Sequence, residues 1–178
     1  MNTITPVPPG LSKPDGYKQI YGQLSELIQG ETDFLANAAN TVSLLFSALP
    51  EVNWTGFYFL QGKELVLGPF QGKPACTRIP LDKGVCGAAA TRRETIIVPD
   101  VSKFPGHIAC DTASKSEIVV PLLNWGRLLG VLDVDSPVAN RFDDDDSDGL
   151  ESLMSLFLSS LTTNDLPDFE ALASNANA

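Results

Sequence analysis

Two apolar runs, Ile118–Leu123 and Leu128–Val134, stand only four residues apart, and they constrain this chain more than any other stretch. Both are rich in β-branched residues and leucine, and the Asn124-Trp125-Gly126-Arg127 segment between them supplies the Asn and Gly that suit a tight turn. The pattern predicts a hairpin. Side chains alternate faces along a strand, which assigns Leu129, Val131, Asp133 and Asp135 to one face and Gly130, Leu132 and Val134 to the other. Both faces are apolar until the strand ends, so the strand is expected to be covered on both sides. Two carboxylates on one face at the end of such a strand should point into a pocket or its rim. Glu117, which opens the first run, is expected close to them.

The rest of the chain arranges itself around this pair. Met1 to Lys13 reads as an extended arm rich in Pro, Thr and Ser. From Pro14, the positions Tyr17, Ile20, Tyr21, Leu24, Leu27 and Ile28 follow helical spacing, with Gly30 as a stop. A second helix is expected from an N-cap at Thr32 through Phe34, Leu35, Ala38, Val42, Leu45, Phe46 and Leu49 to Pro50. Val52–Leu60 and Leu65–Phe70 are strand-like and joined by a turn at Gln61-Gly62-Lys63-Glu64. Cys76–Ile79 is a short strand candidate, Gly84–Arg92 an alanine-rich helix with Cys86 in its first turn, and Thr95–Val98 another strand. Pro99–Ser116 is dense in turn formers and long enough to be a functional loop. The acidic run Asp143–Asp146 precedes Leu150, Leu153, Phe157, Leu158 and Leu161 at helical spacing, so it complements a helix dipole and lacks the spaced ligands of a calcium loop. One domain, 14–162, is expected, followed by a polar tail over 163–178.

Composition removes several classes of function. A chain of 178 residues with 43% hydrophobic content can bury a sizeable core. Its formal charge of −10 argues against nucleic acid, whose binding is driven by Lys and Arg neutralising phosphates. There is neither a signal-like N-terminus nor an apolar run approaching the roughly 20 residues of a membrane span, so a soluble, cytoplasmic protein is expected. Three cysteines cannot all pair within one chain, which favours reduced or redox-cycling thiols over a structural disulfide framework.

No Gly-rich phosphate loop, serine elbow or HExxH motif is present, and the single histidine is His107. The thiols remain. They can be read as small buried hydrophobes. They can also be read as a zinc set of Cys76, Cys86, His107 and Cys110, although its spacing lacks a CxxC knuckle. The third reading is redox catalysis. A helix N-terminus lowers a thiol's pKa, so Cys86 is expected to be thiolate-prone where it is partly exposed. A thiolate can attack an electrophilic sulfur such as a sulfoxide when an acid protonates the oxygen, and the resulting sulfenic acid condenses with a second thiol. A carboxyl among apolar side chains has its pKa raised and suits the acid's part, which points to Glu117, Asp133 or Asp135.

WTGFYFL at Trp54–Leu60, GPFQGKPACTRIPLDKGVCGAA at Gly68–Ala89, VPDVSKFPGHIACD at Val98–Asp111, SEIVVPL at Ser116–Leu122 and GVLDVDSP at Gly130–Pro137 together resemble the free methionine-(R)-sulfoxide reductases, which are GAF-domain enzymes. The resemblance covers roughly Pro14 to Leu161. It implies an α/β (α+β) fold: a single GAF domain whose central antiparallel sheet is flanked by N- and C-terminal helices. It also implies reduction of free methionine-(R)-sulfoxide, recycling by thioredoxin, and neither cofactor nor metal. Matched motif by motif, Cys110 resembles the attacking cysteine, Cys86 and Cys76 the candidates that resolve it, and Glu117, Asp133 and Asp135 the substrate-binding and proton-donating acids. Trp54 and Tyr58 would enclose the methylsulfinyl end, and backbone N–H groups in Gly106–Cys110 would meet the substrate carboxylate. His107 is open between a structural part and an activating base, and a homodimer is one possible assembly. The alternative function is a GAF-type small-molecule sensor that binds without turnover, since fold alone does not fix function.

Overall fold

The predicted hairpin lies inside a six-stranded antiparallel sheet. The computed structural model describes residues 4–108 and 111–161. In chain order its helices are α1 (Lys13–Leu27), α2 (Phe34–Ala48), α3 (Gly84–Arg92) and α4 (Asp144–Ser159). The strands are β1 (Trp54–Gln61), β2 (Glu64–Gln71), β3 (Arg78–Pro80), β4 (Ile96–Val98), β5 (Ser116–Asn124) and β6 (Arg127–Ser136). They are arranged in the order β3-β2-β1-β6-β5-β4, every neighbouring pair antiparallel. The expected fold class holds: a central antiparallel sheet with helices from both ends of the chain. No described helix is long and apolar enough to cross a membrane.

Each face of the sheet carries its own apolar layer. On one, Phe57, Phe59, Ile118, Val120, Leu122, Leu132 and Val134 pack with Ile20 and Leu24 of α1, Leu45 of α2 and Phe157 of α4. On the other, Trp54, Tyr58, Val119 and Val131 pack with Val85, Cys86, Ala89 and Ala90 of α3. The first layer is the larger. Burial of apolar side chains there, at about 1.5–3 kcal/mol each, holds α1, α2 and α4 against the sheet.

The alternation read from the sequence fails at one residue. Leu129 packs in the helix layer and Leu128 on the opposite side, because the β5–β6 register steps from Leu122 opposite Gly130 to Leu123 opposite Leu128. The extra residue is a β-bulge, which flips every side chain before it while leaving Val131, Asp133 and Asp135 on the predicted face. Smaller shifts concern ends. The cap of α2 is Asp33 rather than Thr32, its carboxylate accepting from Ala36 N–H. The β3 strand is Arg78–Pro80, so Cys76 lies in the loop before it and not in the strand.

The acidic run before α4 does more than complement a helix dipole. Asp143 and Asp146 form a reciprocal capping box. Fully buried Asp146 also accepts from Tyr17 Oη at 2.9 Å, from Arg141 Nη1 at 2.9 Å and from Lys13 Nζ. Arg141 Nε in turn donates to the Pro50 carbonyl at 3.1 Å. One carboxylate thus fixes α1, the end of α2 and the start of α4 relative to one another. Asp146→Asn removes the charge and leaves the buried Arg141 guanidinium uncompensated, so denaturant unfolding should show a loss of about 3–5 kcal/mol. A loss below about 1 kcal/mol would show that this network does not hold the helices together.

Candidate active site

Strand register builds the site. Trp54 on β1, Asp135 on β6 and Glu117 on β5 lie in one row across three strands, and Gly56, Asp133 and Val119 form the next. Residues directly opposite on neighbouring strands share a face, so all three carboxylates emerge side by side. Gly56 is required beneath them: a Cβ there would sit 2.6 Å from Phe70 Cβ and would overlap the Trp54 ring. The first turn of α3 closes over this face with Gly84, Val85 and Cys86, and His107, Ile108, Asp111 and Ser114 complete the wall.

The cavity so enclosed is about 20 Å³, room for roughly one water molecule. Glu117, Asp133 and Asp135 are 5%, 7% and 9% exposed. Burial pushes the Glu117 carboxyl well above the usual range, with Asp135 adding to it. Asp133 is likewise pushed up, by burial first and then by Asp135 and Glu117. Asp135 is raised from 3.8 to about 7, mainly by burial, while the Ser114 hydroxyl and His107 oppose the shift. His107 Nε2 is 3.3 Å from Glu117 Oε2. Burial lowers the imidazole's pKa while raising the carboxyl's, which brings the two groups closer in proton affinity. Asp133 Oδ2 accepts from Cys86 Sγ at 3.5 Å, and Asp133 Oδ1 is buried with no hydrogen-bond partner. A buried carboxylate oxygen beside other acids is best satisfied by a cationic donor.

Cys86 departs from the sequence expectation. It is 4% exposed, and burial followed by the charges of Asp133, Glu117 and Asp135 pushes its thiol pKa well up. A helix N-terminus carries about half a positive charge, which three nearby carboxylates and desolvation outweigh. Cys86 is held as a thiol. Cys76 is half-buried in the loop between β2 and β3, packed against the same apolar layer, with its carbonyl accepting from Tyr58 Oη at 3.1 Å. Cys110 lies outside the described residues; Ile108 and Asp111, which flank the gap in sequence, line the cavity. Of the zinc set read from the sequence, the described members Cys76, Cys86 and His107 do not form a ligand cluster; among the described residues that cluster is Cys86, Glu117 and Asp133.

Trp54 and Tyr58 share the carboxylates' face, their rings stacked 5.9 Å apart, but neither lines the cavity. Trp54 Nε1 donates to the Lys73 carbonyl at 3.0 Å, so the loop carrying Cys76 is tied across both rings. Lys73 Nζ reaches Asp111 Oδ1 at 3.0 Å, joining that loop to the cavity wall. The Ala113 N–H and then Lys73 hold the Asp111 carboxyl below its ordinary range. Asp111, Ser114, Lys73 and Asn53, whose Nδ2 donates to the Ser114 hydroxyl at 3.1 Å, were not singled out from the sequence. Asp111 and Ser114 carried one signal, membership of a loop too long to be a plain connection, whereas Lys73 and Asn53 lie on other connections.

Fold and site together define a GAF domain, and the GAF domain family model matches residues 33–161. The chain is 48% identical over 161 residues to the free methionine-R-sulfoxide reductase of Escherichia coli (strain K12), covering 90% of this chain and 98% of that one. It is 46% identical over 154 residues to the protein of the same name from Saccharomyces cerevisiae, covering 82% of this chain and 86% of that one. A solved structure of the free methionine-R-sulfoxide reductase from Neisseria meningitidis, in complex with its substrate, superposes with a TM-score of 0.83 at 38% identity, covering 98% of this chain and 99% of that one. The chain belongs to the free methionine-R-sulfoxide reductase family of GAF domains.

The raised carboxyls make stability depend on pH in a definite sense. Between about 3.8 and about 7 the folded chain keeps on Asp135 a proton that the unfolded chain releases, so stability falls as pH rises through that window. Asp135→Asn removes this burden while preserving shape. Its melting temperature should exceed the parent's at pH 8, with the gap closing towards pH 4. Parallel melting curves for the two chains across that range would contradict the assignment.

Proposed function

We propose that this chain reduces free L-methionine-(R)-sulfoxide to methionine by thiol chemistry. The observation that carries the reading is the group of three buried carboxyls, one with an unpartnered oxygen, beside a thiol in a closed cavity. A free amino acid brings an ammonium, the group such a cavity lacks. The family relatives' names and the substrate complex of the Neisseria meningitidis protein support the same substrate. Since the cavity has room for about one water, it must widen to admit the amino acid, and closing again would exclude solvent from the reacting sulfur.

Asp133 and Asp135 pair with the ammonium. Glu117 is the proton donor, because among the three acids it is the one in contact with His107, whose partly exposed ring can return a proton from solvent. Trp54 and Tyr58 form the apolar side for the methyl group once the pocket has widened. Cys110 attacks the sulfoxide sulfur. The sulfur–oxygen bond breaks, the sulfoxide gains two electrons to become a thioether, and the cysteine is oxidised to a sulfenic acid. A second thiol then condenses with that acid, releasing water and forming a disulfide that an external dithiol such as thioredoxin reduces.

Cys76 is the resolving thiol in this scheme. Cys86 is buried and held protonated, whereas Cys76 is half-exposed on the loop before β3. A sensor that binds without turnover would need no such thiol arrangement.

With no reductant present, an excess of free L-methionine-(R)-sulfoxide should yield one methionine per chain and consume two thiols. Cys76→Ser should still yield one methionine yet consume only one thiol, and Cys86→Ser should match the parent. The N-acetylated substrate should react about 10- to 100-fold more slowly, because it leaves buried carboxylates unpaired. No methionine from the R epimer would return the chain to the sensor reading, and two thiols consumed in Cys76→Ser would make Cys86 the resolver.

A further inference from the structure

The mechanism above leaves one buried nucleophile without a task. Cys86 faces the cavity, is neither attacking nor resolving thiol, and lies against two carboxyls. The ligand atoms of Cys86, Glu117 and Asp133 all fall within 4.8 Å of one another. Cys86 Sγ and Asp133 Oδ2 are 3.5 Å apart, which is the edge of a tetrahedron around zinc with bonds of about 2.3 Å to sulfur and about 2.0 Å to oxygen. Asp133 Oδ1, fully buried, has no partner and belongs to a side chain that lines the same cavity. The clustered ligand set, and the unpartnered second oxygen of its member Asp133, both point to a cation here.

We propose that Cys86, Glu117 and Asp133 bind a thiophilic divalent cation of the zinc class, which occupies the substrate pocket and excludes the amino acid. This rests on the reading of the pocket as the ammonium site. Size favours the ion, since about 20 Å³ accepts a single metal ion but not an amino acid. Chemistry selects among ions: a thiolate with two carboxylates suits zinc or cobalt, whereas magnesium and calcium take oxygen ligands only. His107, 3.3 Å from Glu117, would orient that carboxylate from behind as outer-shell partners do. Binding displaces the proton of the Cys86 thiol and any proton on the two carboxyls, with no change of oxidation state at sulfur or metal. The consequence is mutual exclusion. Zinc raises the apparent KM for the sulfoxide without lowering kcat, and the bound sulfur is shielded from oxidation.

Cobalt(II) added to the reduced full-length chain reports the site directly, because a cobalt–thiolate bond absorbs in the near ultraviolet. One equivalent should produce that band in the parent, in Cys76→Ser and in Cys110→Ser. Cys86→Ser should lose it, and Asp133→Asn, which keeps the thiol and the shape, should need about 10-fold more cobalt or worse. In the Cys110→Ser chain, which cannot turn over, free L-methionine-(R)-sulfoxide should bleach the band. A band that survives Cys86→Ser, or is lost in Cys76→Ser, would overturn the site, and so would unchanged cobalt affinity in Asp133→Asn. A band indifferent to the sulfoxide would overturn the exclusion. Absorbance is read without turnover, so a chain that binds cobalt yet reduces no sulfoxide would retain the metal site while losing the enzymatic reading.

Discussion

Three carboxyls buried on one face of an antiparallel sheet, with no lysine or arginine among the residues lining their cavity, are the constraint from which the rest of this structure follows. Placing charge in such surroundings is unfavourable, and each carboxyl is accordingly pushed up towards its neutral form. Register makes the arrangement unavoidable once the strands pair: Glu117 opposite Asp135 and Asp133 one row away cannot be separated without shifting β5 against β6. The opposite face compensates. Its apolar layer, closed by α1, α2 and α4, and the buried Asp146 network that fixes those helices keep the sheet in place despite the tension across it. The site is thus an unfavourable arrangement held by a favourable one, and a bound cation relieves it.

The same field decides the thiols. A helix N-terminus suggests an activated cysteine, yet Cys86 sits where burial and three carboxyls act together, and these dominate a half-charge at the end of a nine-residue helix. Its sulfur is a donor to Asp133 rather than a nucleophile. Cys76 lies instead on a loop that crosses Trp54 and Tyr58 and is linked through Lys73 to Asp111. Among the described residues, Cys86 is the thiol whose sulfur clusters with the acids.

Much of this was readable from residues alone. Period-two alternation placed Asp133 and Asp135 on one face, and a strand apolar on both sides predicted that they would be buried. Alternation failed at Leu129 because a bulge leaves no mark in hydrophobicity, only in register. The Cys86 expectation failed because helix position is local information, while desolvation and the charges of β5 and β6 are set by tertiary packing. Lys73, Asp111 and Ser114 were missed for a similar reason. They are ordinary polar loop residues, and their meaning arises from contacts between loops far apart in sequence. Cys110, which the family resemblance implies is the attacking thiol, lies outside the described residues.

The central claim is that an ammonium discharges the tension among these acids, and proton counting tests it most directly. When a cation pairs with carboxyls whose pKa values are raised, those values fall and protons leave. Calorimetric titration of the Cys110→Ser chain with free L-methionine-(R)-sulfoxide at pH 7, repeated in buffers of different ionisation enthalpy, measures that release. The account predicts net release of protons on binding. Heats independent of the buffer, or net proton uptake, would contradict it.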